Sequence, residues 1–283
     1  MPELPEVETI RRVLTPQLTG RSIAGIKVNC AQVIAHPSAA QFCTDLSGQT
    51  FSGSGRRGKF MFLFLENGDR IILHLRMTGS LFISPPKYPA AKHTHLIFLL
   101  NDGNELRFED TRRFGRFWFL RKGEEDIYSG AQRLGLEPFD KRITGAYLKE
   151  KFGDRRRAVK DCLMDQSMIA GIGNIYSDEI LFEAGIYPGR PAKTVSEEEW
   201  NRIAKLIPER MAFFVEKNAV SPEEYFRTKG EEYQNTPYLK VYGHAGERCR
   251  SCGSVLRRTV ICGRGSVYCP ECQPELTIRR PNL

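Results

Sequence analysis

Two Cys-x-x-Cys pairs stand near the C-terminal end, Cys249 with Cys252 and Cys269 with Cys272, separated by sixteen residues. That spacing can set four thiolates at the corners of a tetrahedron, the ligand set of one zinc ion, and a closed four-sulfur shell leaves no open position for a substrate. The metal is therefore expected to fold its element rather than to catalyse. Between the pairs, VLRRTVICGRGSVYC reads as a hairpin turning at Gly263-Arg264-Gly265, which would thrust Arg264 outward, where a guanidinium suits a phosphate. At the other end the chain opens MPELPEVET. A proline at position 2 can precede a helix without losing a hydrogen bond, or it can do chemistry itself, with the Glu3 carboxyl beside it.

Further phosphate-directed signals lie between. GRRGKF gathers Arg56, Arg57 and Lys59 at a strand start, and EDTRRFGRFWF sets Arg112, Arg113 and Arg116 among Phe114, Phe117 and Trp118. Basic residues interleaved with aromatics can grip phosphates and wedge between bases. AGIGNIYSDE places two glycines ahead of Asn174, read as an N-cap, so that free amides would face an anion docked there. Arg155, Arg156, Arg157 and Lys160 run just ahead of that turn. Each string also has a plainer reading: a tight turn between helices, or a solvated charged face.

The composition points the same way. In 283 residues, 42 Lys and Arg face 34 Asp and Glu, a formal charge of +8 that makes a polyanion the first partner to consider. No basic segment leads into an apolar stretch, and runs such as FMFLFL are far shorter than the roughly 20 residues that span a bilayer. A cytoplasmic protein with no membrane association is expected. In that reducing setting clustered cysteines favour a metal over disulfides, and Cys30, Cys43, Cys162 and Cys262 read as small apolar residues.

The elements that must position these residues follow from hydrophobic period. Val7, Ile10, Leu14 and Leu18 recur at three and four, one face of a helix that Gly20 stops. From Ser22 to Leu120 strands and turns dominate, with Asn67-Gly68 and Asp102-Gly103 between apolar runs as hairpin signals. Charge and glycine break this pattern near 121–130, and helices are expected at about 144–152, 155–164, 174–184 and 196–217. Ser196 with Glu199 caps the last, and Pro208 should kink it. Residues 221–239 read as a long loop. The class is α+β and multidomain: an antiparallel β-sandwich lobe over 1–128, a helical lobe over 129–240, and a metal hairpin over 241–283.

Taken together, MPELPEVET, GRRGKF, HLRMTGS, KHTH, DTRRFG, LMDQ followed by GIGNIYSDE, VYG and GRGSVYC resemble the formamidopyrimidine-DNA glycosylase family along nearly the whole chain. The resemblance implies a bifunctional glycosylase and abasic-site lyase that excises oxidised purines from duplex DNA in base excision repair, acting as a monomer. It implies that Met1 is removed and that the secondary amine of Pro2 is the nucleophile. Glu3 is then the general acid, Lys59 the proton donor for β-elimination and Arg264 the donor for δ-elimination. His74, His93, Arg112, Arg155, Lys160 and Asn174 correspond to DNA-phosphate contacts, the last in a helix-two-turns-helix motif. Met77, Arg112 and Phe114 match the trio that fills the space of an everted base.

The stretch NAVSPEEYFRTKGEEYQNTPYL departs from the family's paired glycines and threonines and its Gly-x-x-Gly-aromatic run, keeping only Gly230, which leaves open how the lesion is capped. Two rivals stand beside this reading: an oxidised-pyrimidine glycosylase of the same architecture, like endonuclease VIII, and a damaged-DNA-binding protein without catalysis. Taken alone, Glu3 could be a helix N-terminal charge and Lys59 a solvated strand residue.

Overall fold

In a computed structural model the described residues are 2–230 and 232–275, so Met1 and the tail beyond Glu275 lie outside them. The first helix, α1 (Leu4–Leu18), turns Val7, Ile10, Leu14 and Leu18 inward, each at most 2% exposed. Its start is closed by a capping box in which Glu6 accepts the Glu3 N–H at 2.8 Å. At its end Gly20, at φ +79°, hands the chain to the strands.

The strands and one helix follow: β1 (Ile23–Val28), β2 (Ile34–His36), α2 (Ala39–Leu46), β3 (Phe51–Arg57), β4 (Phe60–Leu65), β5 (Arg70–His74), β6 (Gly79–Ser84), β7 (Thr94–Leu100), β8 (Glu105–Asp110) and β9 (Arg116–Leu120). They form a four-stranded sheet, β1-β7-β8-β6, and a five-stranded sheet, β2-β9-β5-β4-β3. Alternation along β4 sends Met61, Leu63 and Leu65 into a core shared with α1 and with Leu81, Phe98 and Phe108 of the other sheet. The expected antiparallel sandwich is present with one exception, the parallel pair β2 and β9, which α2 makes possible by carrying the chain away after β2.

Beyond the sandwich come α3 (Gly145–Phe152), α4 (Val159–Leu163), α5 (Asn174–Ala184), α6 (Glu197–Lys217) and α7 (Pro222–Thr228), then the hairpin β10 (Arg257–Ile261) and β11 (Arg264–Tyr268). Chain contacts group these into two compact units, Met1–Arg133 with Val215–Gln234, and Leu134–Phe214 with Asn235–Leu283. The division falls inside α6, which continues as one helix through Pro208. Within the second unit Tyr176, Trp200, Phe152 and Phe214 are buried at its core.

Four local expectations need correction. The helix expected at 155–164 spans only α4, because residues 155–157 pair with 190–193 instead: Lys193 N–H donates to Arg155 O and Ala192 N–H to Arg157 O. Asn174 is the first helical residue, and Gly173 occupies the cap position. The hairpin turns at Cys262-Gly263, both at positive φ (48° and 75°), so Arg264 opens β11 opposite Ile261 rather than standing at the apex.

The segment read as a loop contains α7, capped by Ser221, whose hydroxyl accepts the Glu224 N–H. This helix is fastened to the sandwich: Tyr225 Oη donates to Leu81 O at 3.0 Å, and Lys229 Nζ reaches Glu109 at 3.1 Å. Its end requires glycine at position 230, where φ is +71° and a Cβ would meet the Tyr225 ring at 2.8 Å.

Candidate functional site

In the first unit the candidate groups converge on α1 and the β3-β4 turn. Pro2 and Glu3 are buried at the head of α1. One turn further, Glu8 accepts from Arg11 at 2.7 Å and Arg12 at 2.8 Å and lies 3.3 Å from Arg56 Nε on β3. Arg56 in turn donates from Nη1 to the Gly58 carbonyl at 2.9 Å, so α1 holds the turn from which Lys59 projects. Burial alone would raise the Glu8 carboxyl, but the guanidinium groups of Arg11 and Arg12, with Arg56, hold it down at about 2.

Lys59 is 8% exposed and lies next to Phe60, which pairs with His74 across β4 and β5. His74 is pushed down to about 3 by burial and then by the Arg76 and Lys59 cations. Its Nδ1 accepts the Arg76 N–H at 2.9 Å, which fixes the neutral ring with its proton on Nε2. A neutral donor beside two cations can serve an anion without itself becoming charged. His93 is half-buried, with its ring 6.4 Å from that of His95.

Met77, Arg112 and Phe114, expected from the resemblance to act as a wedge, come together from two loops. Arg112 Nη1 lies 3.0 Å from the Met77 sulfur, and the Arg112 guanidinium sits 4.8 Å from the centre of the Phe114 ring. Met77 is 43% and Phe114 45% exposed, as apolar groups with a stacking task would be. Asp110 builds both loops: one oxygen takes Thr78 Oγ1–H and the Arg112 N–H at 3.0 Å, the other the Gly115 N–H at 2.8 Å.

In the second unit Arg155 is exposed, but Lys160 is 1% exposed, its ammonium 2.8 Å from Asp178. Asn174 donates from Nδ2 to the Gly265 carbonyl at 3.0 Å. The α4-α5 turn is knitted by Gln166, which donates to Met164 O and Ile172 O at 2.9 and 2.6 Å and accepts the Gly171 N–H at 2.9 Å. Arg264 is exposed beside the hairpin turn.

The four cysteines meet as their spacing implies. The Sγ atoms of Cys249, Cys252, Cys269 and Cys272 all lie within 4.8 Å of one another, with Cys249 to Cys272 at 3.9 Å and Cys252 to Cys269 at 3.4 Å. A tetrahedral ion with bonds of about 2.3 Å needs sulfur separations of about 3.8 Å, so the cluster fits a metal ion. Cys249 and Cys269 are buried with Phe182, Val241, Leu256 and Val267, while Cys252 is exposed at the surface of the cluster.

Two family models match, the formamidopyrimidine-DNA glycosylase N-terminal domain over residues 1–117 and the formamidopyrimidine-DNA glycosylase H2TH domain over 134–223. The formamidopyrimidine-DNA glycosylase of Geobacillus kaustophilus is 42% identical, covering 96% of this chain and 100% of the relative. That of Shouchella clausii is 40% identical, covering 97% and 99%. The chain belongs to the formamidopyrimidine-DNA glycosylase family. Among solved structures, the Lactococcus lactis enzyme in complex with Fapy-dG containing DNA superposes with a TM-score of 0.88 at 30% identity, over 96% of this chain and 100% of that one. The same enzyme with abasic-site DNA gives 0.88 at 29% identity, over 97% and 100%.

Set against that family, reasoning from motifs missed the carboxylates that hold the site residues in place. Glu6, Glu8, Asp110 and Asp178 are each at most 9% exposed. Only Glu6 left a signal, an acid three residues after Glu3 in a capping-box spacing. Each of the others also binds a group far along the chain, Glu8 to Arg56 across 48 residues, Asp110 to Thr78 across 32 and Asp178 to Ser266 across 88, beyond any local pattern.

Proposed function

We propose that this protein excises oxidised purines from duplex DNA as a bifunctional glycosylase and abasic-site lyase of base excision repair. The observation that carries the proposal is the Pro2-Glu3 terminus, buried at the head of α1 and linked by Glu8 and Arg56 to the turn that bears Lys59. Once Met1 is removed, Pro2 presents a secondary amine. Such termini titrate at about 7.7–8.0 in reference peptides, leaving a reactive fraction near neutral pH.

The Pro2 nitrogen attacks C1′ of an everted nucleotide, the bond to the base breaks, and its electron pair leaves with the purine, which takes up a proton. Glu3 protonates the ring oxygen as the sugar opens to an iminium. That iminium acidifies C2′, whose proton is lost as the 3′ phosphate departs with Lys59 as donor. Loss of the C4′ proton then expels the 5′ phosphate with its electron pair, stabilised by the Arg264 guanidinium, and water releases Pro2. Met77, Arg112 and Phe114 fill the vacated stack, while His74, His93, Arg112 and Arg155 bind phosphate; the unstacking they offset is a few kcal/mol. Lys160 and Asn174 serve DNA through the hairpin they hold.

Cys249, Cys252, Cys269 and Cys272 would bind one zinc ion that keeps the hairpin folded. No helix among the described residues is long and apolar enough to cross a membrane, and we assign the enzyme to the cytoplasm as a monomer on chromosomal DNA.

The test is borohydride trapping on a duplex with one 8-oxoguanine opposite cytosine, beside abasic and thymine-glycol duplexes. A covalent adduct mapped to Pro2, absent from a form with extra residues ahead of Pro2, is expected on the first two. Trapping on thymine glycol alone would support the oxidised-pyrimidine reading. Binding to an abasic duplex without any adduct would leave only a DNA-binding protein.

A further inference from the structure

Asp178, on α5, is fully buried. One oxygen lies 2.8 Å from Lys160 Nζ of α4 and accepts the Ser266 hydroxyl; the other accepts the Val267 N–H at 3.1 Å. The Gly265 carbonyl accepts from Asn174 Nδ2 at 3.0 Å and from Lys160 Nζ at 3.4 Å. The three residues that follow Arg264 are thus gripped in succession, by carbonyl, hydroxyl and amide, from two helices.

This grip has a purpose that the metal cannot serve. A two-stranded hairpin is marginal by itself in water. The cysteine cluster anchors β11 only beyond Tyr268, at Cys269, while Arg264 opens the same strand at the far end. A buried ion pair contributes little net stability compared with apolar side chains of the same volume, whereas its directional bonds fix one geometry. Lys160 supplies the counter-charge, and Asp178 accepts three donors from α4 and β11 at once.

We propose that Asp178 is a positioning residue for Arg264, setting the direction in which the guanidinium is presented without touching DNA itself. The proposal rests on the reading of Arg264 as the group that assists loss of the 5′ phosphate. Asp178 then controls the second elimination and leaves the steps at Pro2 alone.

The experiment compares Asp178→Asn, Ser266→Ala and Arg264→Ala with the unaltered full-length protein on an abasic duplex. It measures the ratio of β,δ- to β-elimination products, the borohydride-trapped fraction and bound zinc. We expect Asp178→Asn to lower the ratio tenfold or more, and Ser266→Ala, which keeps the ion pair and therefore the fold, about threefold. Trapping should stay within twofold and zinc at one per chain. Should Asp178→Asn fail to fold, the Ser266→Ala ratio decides alone. A ratio unchanged in the folded variants while Arg264→Ala lowers it overturns the role of Asp178. A fall in ratio matched by equal loss of zinc or trapping overturns it as well, in favour of a general structural role. An unchanged ratio in Arg264→Ala removes the reading of Arg264 and the proposal with it.

Discussion

Arg112 and Met77 are joined at 3.0 Å, nitrogen to sulfur, and the same guanidinium lies over the Phe114 ring at 4.8 Å from its centre. Their loops are 35 residues apart in sequence, and Asp110 fixes both. The proposed wedge is therefore preassembled, with the three side chains already in contact before DNA is met. Truncating Arg112 or Phe114 to alanine should slow single-turnover excision of 8-oxoguanine by about 10- to 100-fold, since a few kcal/mol of unstacking would lose its compensation. Cleavage of a preformed abasic site should change by less than threefold in Phe114→Ala, while Arg112→Ala, which also removes a phosphate contact, should weaken binding to every duplex alike.

Asp110→Asn separates arrangement from contact. It replaces an acceptor of the Arg112 or Gly115 amide with a donor, so the stack should loosen while every wedge side chain remains. Excision should fall about tenfold with melting temperature lowered by only a few degrees. Unaltered excision would mean that the loops hold their shape without this carboxylate.

Glu8 supplies a pH-dependent test. Its folded value, about 2, lies below the ordinary 4.5, so the carboxylate stabilises the fold fully above pH 4.5 and loses that contribution as pH falls toward 2. Glu8→Gln should cost about 1–2 kcal/mol at pH 7, the solvated rim of the cluster reducing the effect, and almost nothing near pH 2. Urea midpoints at the two pH values measure the difference. Because the chain from Glu8 ends at the Lys59 turn, the same variant should lower β-elimination several-fold.

His74 has the same sign for a different reason. Burial and two neighbouring cations hold it at about 3, so it stays neutral wherever the enzyme works, and its contribution to stability is complete above pH 6.5 and declines as pH falls below that toward 3. Proton resonances of His74 should be flat from pH 5 to 8. A midpoint near 6.5 would show that the ring does not remain in the site described.

The helix α7 offers a measure of how firmly residues 222–230 are held. Tyr225→Phe deletes the donor to the buried Leu81 carbonyl and should cost about 1–2 kcal/mol of unfolding free energy. A loss near zero would mark the segment as loosely attached.

The cysteine cluster was legible because four identical ligands at two short spacings already define a tetrahedron. The β-lobe and the helices α1, α3 and α6 were legible because their apolar period is local and strong, whereas α5, buried on nearly every side, was placed by the glycines before Asn174, and the family motifs gave the order of the catalytic strings. Where the sequence misled, nonlocal bonds outweighed local propensity. Residues 155–157 carry helix-favouring arginines but find backbone partners in the turn at 190–193, and α7 forms in a polar stretch because Tyr225 bonds the Leu81 carbonyl on β6. Lys160, part of a basic run that reads as surface, turns inward because Asp178 waits there with its other donors already placed. A sequence records which residues carry charge, sulfur or a hydroxyl. Which of them face one another across 32, 48 or 88 residues depends on the packed backbone, because a hydrogen bond is short and directional, and only folding brings both ends within its reach.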